Sequence, residues 1–295
     1  MTGEYAFRII NDLEDQEFSN SLATKLILEE GFRSSLTVPV FRNNKVFAFL
    51  FVNSRKKYAY SRVDGKKLFF ISQTLGKILH YCYIIQTALS AMAQSFVNLV
   101  EFKDTETGNH IKRVANYSRI LAEKYSDEVI ELPAVKVREI YNFAPIHDIG
   151  KVGIPDTILL KPGRLDPQEW EIMKRHVEIG QKIVKNANVL IRQMTEEDLL
   201  STAMKIISDH HEKYDGTGYP VGKKGEEISI EGRIVAIADV FDALTTKRPY
   251  KDPFPFDQAV DMIRSEAGKH FDPVLVELFL KATNEIRKVF ETYKD

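Results

Sequence analysis

The sequence predicts a mainly α-helical protein, an all-α bundle preceded by a small α/β segment and a linking helix. Three observations carry this. Two runs rich in β-branched and aromatic residues lie near the N-terminus, and no strand alternation of any length occurs beyond Phe102. An uncharged stretch from Ile78 to Val100 follows with apolar residues at spacings of four and three. From Glu101 onward, helix-start signals recur through the rest of the chain.

The first element pair is Ser35–Phe41 and Lys45–Asn53, joined by Arg42-Asn43-Asn44, and it reads as a hairpin. Helices are expected around it, at about Ser19 to Glu30 and from Lys66 onward. The stretch Ile78–Val100 is long enough to span a bilayer, which takes roughly 20 residues. It carries His80, Gln86, Thr87, Ser90, Gln94, Ser95 and Asn98, however, while Ile78, Cys82, Ile85, Leu89, Met92, Phe96 and Leu99 form an a/d seam. That pattern describes a helix contact in water and not a membrane span. It suits a homodimer helix or a helix lying on its own domain. Beyond it, Asp166-Pro167-Gln168-Glu169, Thr195-Glu196-Glu197-Asp198 and Asp272-Pro273 read as helix starts. The expected divisions are residues 1–77, a linking helix over 78–100, and a helical domain over 101–295.

Composition narrows the function classes. A chain of 295 residues is long enough for one large domain or two modest ones, which excludes a peptide hormone or small disulfide scaffold. Forty-one basic against 42 acidic residues lack the positive field of a protein that coats a nucleic acid polymer. The single cysteine, Cys82, cannot form an intramolecular disulfide, and Met1-Thr2-Gly3-Glu4 lacks the order of a secretion signal, so a cytoplasmic location is expected.

Five of the seven histidines, His110, His147, His176, His210 and His211, fall in the helical region beside acidic or glycine-bearing clusters. Glu106 and His110 stand four apart, so a helix projects both from one face, where they can share a metal. In His147-Asp148 the imidazole can take one ion while the carboxylate bridges to a second. Lys151 is expected one turn past His147 on the same side. His210-His211 form a second adjacent pair, and Asp239 sits in the apolar run Ile234–Leu244, where an unpaired carboxylate would be costly without a metal. Nitrogen and oxygen donors alone suit iron or manganese, and permit zinc, cobalt or magnesium.

His147-Asp148-Ile149-Gly150-Lys151, together with His210-His211-Glu212-Lys213-Tyr214-Asp215-Gly216-Thr217-Gly218-Tyr219-Pro220, resembles the paired motifs of the HD-GYP domain. This is the subgroup of the HD phosphohydrolases that hydrolyses cyclic di-GMP. The resemblance runs from about Glu101 to Asp295 and implies an all-α HD-domain bundle. It implies metal ligands at His110, His147, Asp148, His176, His210, His211 and Asp239, and no expected ligand position is vacant. A carboxylate at Glu106 resembles the trinuclear subgroup, so three ions are expected where the minimum is two, with iron first and manganese next. Two such ions activate water for in-line attack on a phosphodiester, so no Ser or Cys nucleophile is required. Asp148 and Lys151 are the catalytic residues on this reading.

Lys151, Arg248 and Lys251 match the family's phosphate contacts, and Tyr219 adds a flat ring with a hydroxyl at the site border. In the family, the loop carrying Tyr219 is associated with GGDEF-type cyclase partners; a structural role in pinning the helix after His211 is the alternative. The implied activity is metal-dependent opening of cyclic di-GMP to pGpG, and on to GMP. The alternatives are another cyclic dinucleotide such as cyclic GMP-AMP, or a binding module with negligible turnover. Residues 20–85 resemble the C-terminal half of a GAF sensory domain, with a strand containing Val38-Pro39, a turn, a second strand and a helix. Fewer than ninety residues are too few for a whole GAF domain with its pocket. A truncated GAF-like segment with no assigned ligand is therefore expected.

Overall fold

The structure, a computed structural model, describes residues 6–19, 21–42, 45–101, 108–247 and 252–294. It divides into two compact units, Met1–Leu89 and Ser90–Asp295.

The first unit is built on a three-stranded antiparallel sheet in the order β1 (Arg8–Ile10), β2 (Ser34–Arg42), β3 (Lys45–Ser54). The expected hairpin is present, with Val38 opposite Leu50 and a register shift between Val40 and Phe41. Asn43 and Asn44 of its turn lie outside the described residues. β2 is central and buried from Ser34 to Val40, because it has a neighbour on each edge. β1 was not expected: three residues are too few to show an alternation, and their pairing, Ile9 with Leu36, is non-local. Instead of one helix over 19–30 there are two, α1 (Gln16–Ser19) and α2 (Leu22–Glu29). Ser21 caps α2 by accepting the Thr24 N–H.

α3 (Arg62–Glu101) starts four residues before Lys66 and runs for 40 residues. Its first part seats on the sheet: the buried Ser72 hydroxyl donates to the Pro39 carbonyl at 3.0 Å. A Cβ at Gly76 would stand 2.6 Å from the Phe41 carbonyl oxygen, so only glycine lets helix and strand approach this closely. By length and composition alone, Arg62–Met92 is long and apolar enough to cross a membrane.

The second unit is helical throughout: α4 (Gly108–Glu128), α5 (Ala134–Phe143), α6 (Asp156–Leu159), α7 (Pro167–Lys174), α8 (His176–Thr195), α9 (Ser201–Asp209), α10 (Ile230–Thr245), α11 (Phe256–Ser265), α12 (Pro273–Lys281) and α13 (Thr283–Thr292). Two 3₁₀ segments, Ala144–Ile146 and Ile149–Gly153, separate α5 from α6. Among the described residues there is no strand here, only an isolated bridge between Ala267 and Phe271. The all-α expectation holds for this unit.

α10 lies at its centre, packed on α4, α9, α11 and α12. Phe241 of α10 is fully buried, with Tyr117, Phe256 and Phe279 rings at 5.5, 5.3 and 5.0 Å. Asp166 closes a reciprocal capping box with Glu169 at the start of α7, with Pro167 in the first turn. Asp272 accepts the Val274 N–H at the start of α12. The third expected start is a correction. Thr195 ends α8, its hydroxyl donating back to the Ile191 carbonyl at 2.8 Å, and Glu196 takes a left-handed conformation (φ 63°). Thr-Glu-Glu-Asp offers the same side chains to a helix end as to a beginning, and the amphipathic run behind it decides which.

Truncating Phe241 removes the ring on which three others converge, so Phe241→Ala is expected to destabilise this unit by about 3–5 kcal/mol in urea titrations. A loss below about 1 kcal/mol would show that the centre of the core lies elsewhere.

Candidate metal centre

His147 and Asp148 lie at the junction of the two 3₁₀ segments, not on an α-helix as the sequence suggested. At three residues per turn, positions three apart eclipse one another. Lys151 therefore stands over Asp148, with Nζ 2.9 Å from Oδ2, and not over His147. Gly150 explains how this segment reaches the next ligand. A Cβ there would lie 1.8 Å from the His176 carbonyl oxygen, so no other residue lets α8 begin against it. His176 opens α8, His210 and His211 follow the last turn of α9, His110 sits in the first turn of α4, and Asp239 lies within α10.

These five elements bring seven donors into two adjoining groups. Asp148, His176, His210 and His211 form one, and His110, His147 and Asp239 the other; within each group the ligand atoms lie within 4.8 Å of one another. Asp148 serves both. Its Oδ1 is 3.1 Å from His176 Nε2 and 3.6 Å from His210 Nε2, while Oδ2 is 3.3 Å from His147 Nε2. His147 Nε2 is in turn 3.7 Å from Asp239 Oδ1.

The backbone fixes which nitrogen of each ring is offered. His147 Nδ1 is 2.8 Å from the Ala144 carbonyl, His176 Nδ1 is 2.8 Å from that of Met173, and His210 Nδ1 is 3.1 Å from those of Ile206 and Ile207. A carbonyl only accepts, so each Nδ1 carries a hydrogen and Nε2 is the nitrogen turned inward, free to offer a lone pair once it carries no proton. Those three Nε2 atoms are buried and make no properly directed hydrogen bond, and the same is true of Asp148 Oδ1. Buried acceptors without donors are costly unless a cation meets them, and this all-nitrogen-and-oxygen set fits divalent ions.

His110 is oriented differently. Its Nδ1 donates to Asp242 Oδ2 at 2.8 Å, and the fully buried Arg113 holds that carboxylate with two hydrogen bonds of 2.5 and 3.1 Å. A carboxylate behind a ligating imidazole orients the ring and raises its basicity. Asp242 and Arg113 were missed in the sequence, although spacing could have found them: each stands three residues after a flagged ligand, Asp239 and His110.

Charge reinforces the arrangement. Burial pushes the His147 imidazole down, but Asp148 and then Asp239 outweigh it and hold the ring up at about 9. Burial likewise raises the Asp148 carboxyl, yet Lys151 and His147 bring it well below the usual carboxylate range. Burial and then His210 keep His211 well below its ordinary value.

The loop after His211 is pinned by a residue the sequence reading left without a role. The buried Glu212 carboxylate accepts the backbone N–H groups of Val221, Gly222 and Lys223 at 2.8, 3.0 and 3.0 Å. Gly218 fits because a Cβ would stand 2.2 Å from the Lys213 nitrogen. The fold thus presents Tyr219 flat on His211, with ring centroids 4.6 Å apart, and burial keeps its hydroxyl protonated. Of the sequence-predicted residues, Glu106, Arg248 and Lys251 lie outside the described residues.

The family described as HD domain matches residues 94–275. A Thermotoga maritima protein named cyclic di-GMP phosphodiesterase is 43% identical over 237 residues, covering 80% of this chain and 60% of its own. A Vibrio cholerae protein named 3'3'-cGAMP-specific phosphodiesterase 2 is 45% identical over 194 residues, 66% of this chain and 35% of its own. A second Vibrio cholerae protein, named probable cyclic di-GMP phosphodiesterase, is 39% identical over 208 residues, 70% of this chain and 47% of its own. The chain thus spans between 35% and 60% of the length of these relatives.

Two outcomes are expected. With His147 held up at about 9 by its carboxylates, ion binding at neutral pH displaces that proton. Affinity therefore rises as pH rises toward 9 and falls below it, and calorimetry in buffers of different ionisation enthalpy reads about one proton released at pH 7. No proton release would contradict the ring's role. Asp242→Asn keeps the shape behind His110 but removes the charge, and is expected to weaken metal binding roughly 10- to 100-fold by chelator competition.

Proposed function

The chain belongs to the HD domain family, and on that premise we propose that it is a metal-dependent cyclic dinucleotide phosphodiesterase of the HD-GYP subgroup. It opens cyclic di-GMP to linear pGpG and continues to GMP. The observation that carries this reading is Asp148, which turns one oxygen toward each of two adjoining groups of buried donors. When bound, a pair of divalent ions supplies Lewis acidity at a phosphoryl oxygen and acidifies water, so no side-chain nucleophile is needed.

The chain's own residues do the rest. Asp148 holds the two donor groups in register and His110, His147, His176, His210, His211 and Asp239 complete them. Lys151 sets a positive charge beside Asp148 for a non-bridging phosphate oxygen. The Tyr219 hydroxyl, kept protonated, donates toward the same substrate. Arg248 and Lys251, three apart, add further cationic contacts, and Glu106 with His110 provides for a third ion. The donor set suits iron or manganese, and the resemblance to the HD-GYP subgroup puts iron first and manganese second.

The same relatives support a second substrate. One carries 3'3'-cGAMP in its name, and the cage addresses phosphate without reading a base. The remaining features complete the proposal. Ile78, Cys82, Ile85 and Met92 of the a/d seam are exposed on α3, which supports a homodimer helix in water. The seating of Ser72 and Gly76 on the sheet supports reading the start of α3 as part of a truncated GAF-like segment and not as a membrane span. Val221, 74% exposed beside Tyr219, supports the loop as a docking point for a GGDEF-type cyclase. Reduced, single-cysteine chemistry supports a cytoplasmic location.

Anaerobically purified, metal-replete protein incubated with cyclic di-GMP is expected to yield pGpG and then GMP by chromatography. An intact substrate peak at full metal occupancy would contradict the reading, and competition with cyclic GMP-AMP separates the two substrates. Glu106→Ala is expected to lower the metal content by one ion per chain.

A further inference from the structure

Among the residues with assigned roles, none recognises a nucleobase. The chain's one tryptophan stands against the aromatic ring that borders the metal ligands. Trp170 lies on α7, the eight-residue helix that leads through Arg175 directly into the ligand His176. Its indole meets the Tyr219 ring edge-on, with centroids 6.1 Å apart. Tyr219 in turn stacks on His211 and stands edge-on to His176 at 6.5 Å. Rings therefore run in contact from the metal ligands outward to the surface, and Trp170 is the last of them.

Packing does not account for this tryptophan. α7 contributes no buried residue, and the indole is 45% exposed. Exposure alone is ordinary for a single apolar side chain; what sets this indole apart is its ring contact with Tyr219, which stacks on the ligand His211. It is also held firmly: the capping box of Asp166 and Glu169 fixes the start of α7 one turn away. Lys174, one turn further on, sets its ammonium 5.9 Å from the Tyr219 ring centre, so the border is cationic as well as aromatic. In a nucleotide, the sugar separates phosphate from base. With a phosphodiester over the cage, the base falls outside the ligand shell, where this border offers it an aromatic face.

We infer that Trp170 is a stacking platform for a purine base of the cyclic dinucleotide, beyond the phosphate contacts at the metal centre. This rests on the proposed phosphodiesterase function. Every base offers a π-face, so stacking tolerates guanine and adenine alike. The platform thus supplies affinity for a purine dinucleotide without distinguishing cyclic di-GMP from cyclic GMP-AMP.

The test uses the full chain loaded with manganese. Trp170→Ala is expected to raise KM for cyclic di-GMP roughly 5- to 100-fold, exceeding any fall in kcat, while Trp170→Phe recovers most of the loss. Metal content serves as the check that the variants are folded, since no residue of α7 belongs to the buried core. Because Trp170 is the only tryptophan, its fluorescence reports the contact directly. Stopped-flow mixing with cyclic di-GMP is expected to give a saturable change before turnover, and inorganic phosphate none. Wild-type turnover with an unaltered KM in Trp170→Ala and silent fluorescence would overturn the platform and leave the phosphodiesterase reading standing. Absence of binding and turnover in the metal-loaded wild type would overturn that reading and the platform with it.

Discussion

The site depends on three buried imidazoles whose backbone partners leave them no choice of tautomer. Ala144, Met173 and Ile206 with Ile207 present carbonyl oxygens to the Nδ1 atoms of His147, His176 and His210, and a carbonyl can only accept. Each ring must then direct its remaining nitrogen inward, toward the two oxygens of Asp148. Side-chain contacts would leave room for a flipped or rotated ring; contacts to helical backbone do not. The protein thus stabilises an arrangement that is unfavourable by itself, acceptors converging in a largely buried site, which a divalent ion would relieve.

Holding five separate elements to that geometry requires approaches that ordinary residues obstruct. Gly150 lies against the His176 carbonyl and Gly232 against the Asp209 side chain, each closer than a Cβ allows. Behind the ligands, Arg113 and Asp242 form a buried ion pair that shares its carboxylate with His110. Such a pair contributes little net stability, since desolvation offsets most of the attraction. Its effect is to fix the direction of one imidazole. Glu212 does the corresponding work for the loop, gathering three backbone N–H groups so that Tyr219 lies flat on His211. Arg113, Asp242 and Glu212, all buried, therefore act by orienting other groups.

Much of this was legible in the chain, and the omissions have physical causes. His147-Asp148 and His210-His211 stand out as a set of histidines and acids recurring along one helical region, and Asp239 because its neighbours are apolar. His176, alone among Lys, Arg and Glu, carries no such local mark and was placed by family resemblance only. Asp242 was hidden by proximity to Asp239, since one acid in an apolar helix already had a metal to explain it. The position of Lys151 depended on whether its turn has 3.6 residues or three, and no residue between His147 and Gly153 announces the tighter form. In the first unit the hairpin was readable from its two long runs, while β1 exists only through its pairing with β2. Trp170 carries no signal in the sequence, because a single aromatic on a short helix becomes informative only through its neighbours in space.

The arrangement separates two tasks. On the proposed reading, the cage and Lys151 address phosphate, which every cyclic dinucleotide carries, and the aromatic border addresses the base. The central claim is the first: seven donors from five elements form one cage shared by two ions through Asp148. Anomalous diffraction at the iron and manganese edges, from crystals grown anaerobically with those metals, tests it most directly. The expected map has two neighbouring peaks, one among His176, His210 and His211, the other among His110, His147 and Asp239, with Asp148 between them. A single peak touching one group, or ions bound away from Asp148, would contradict it.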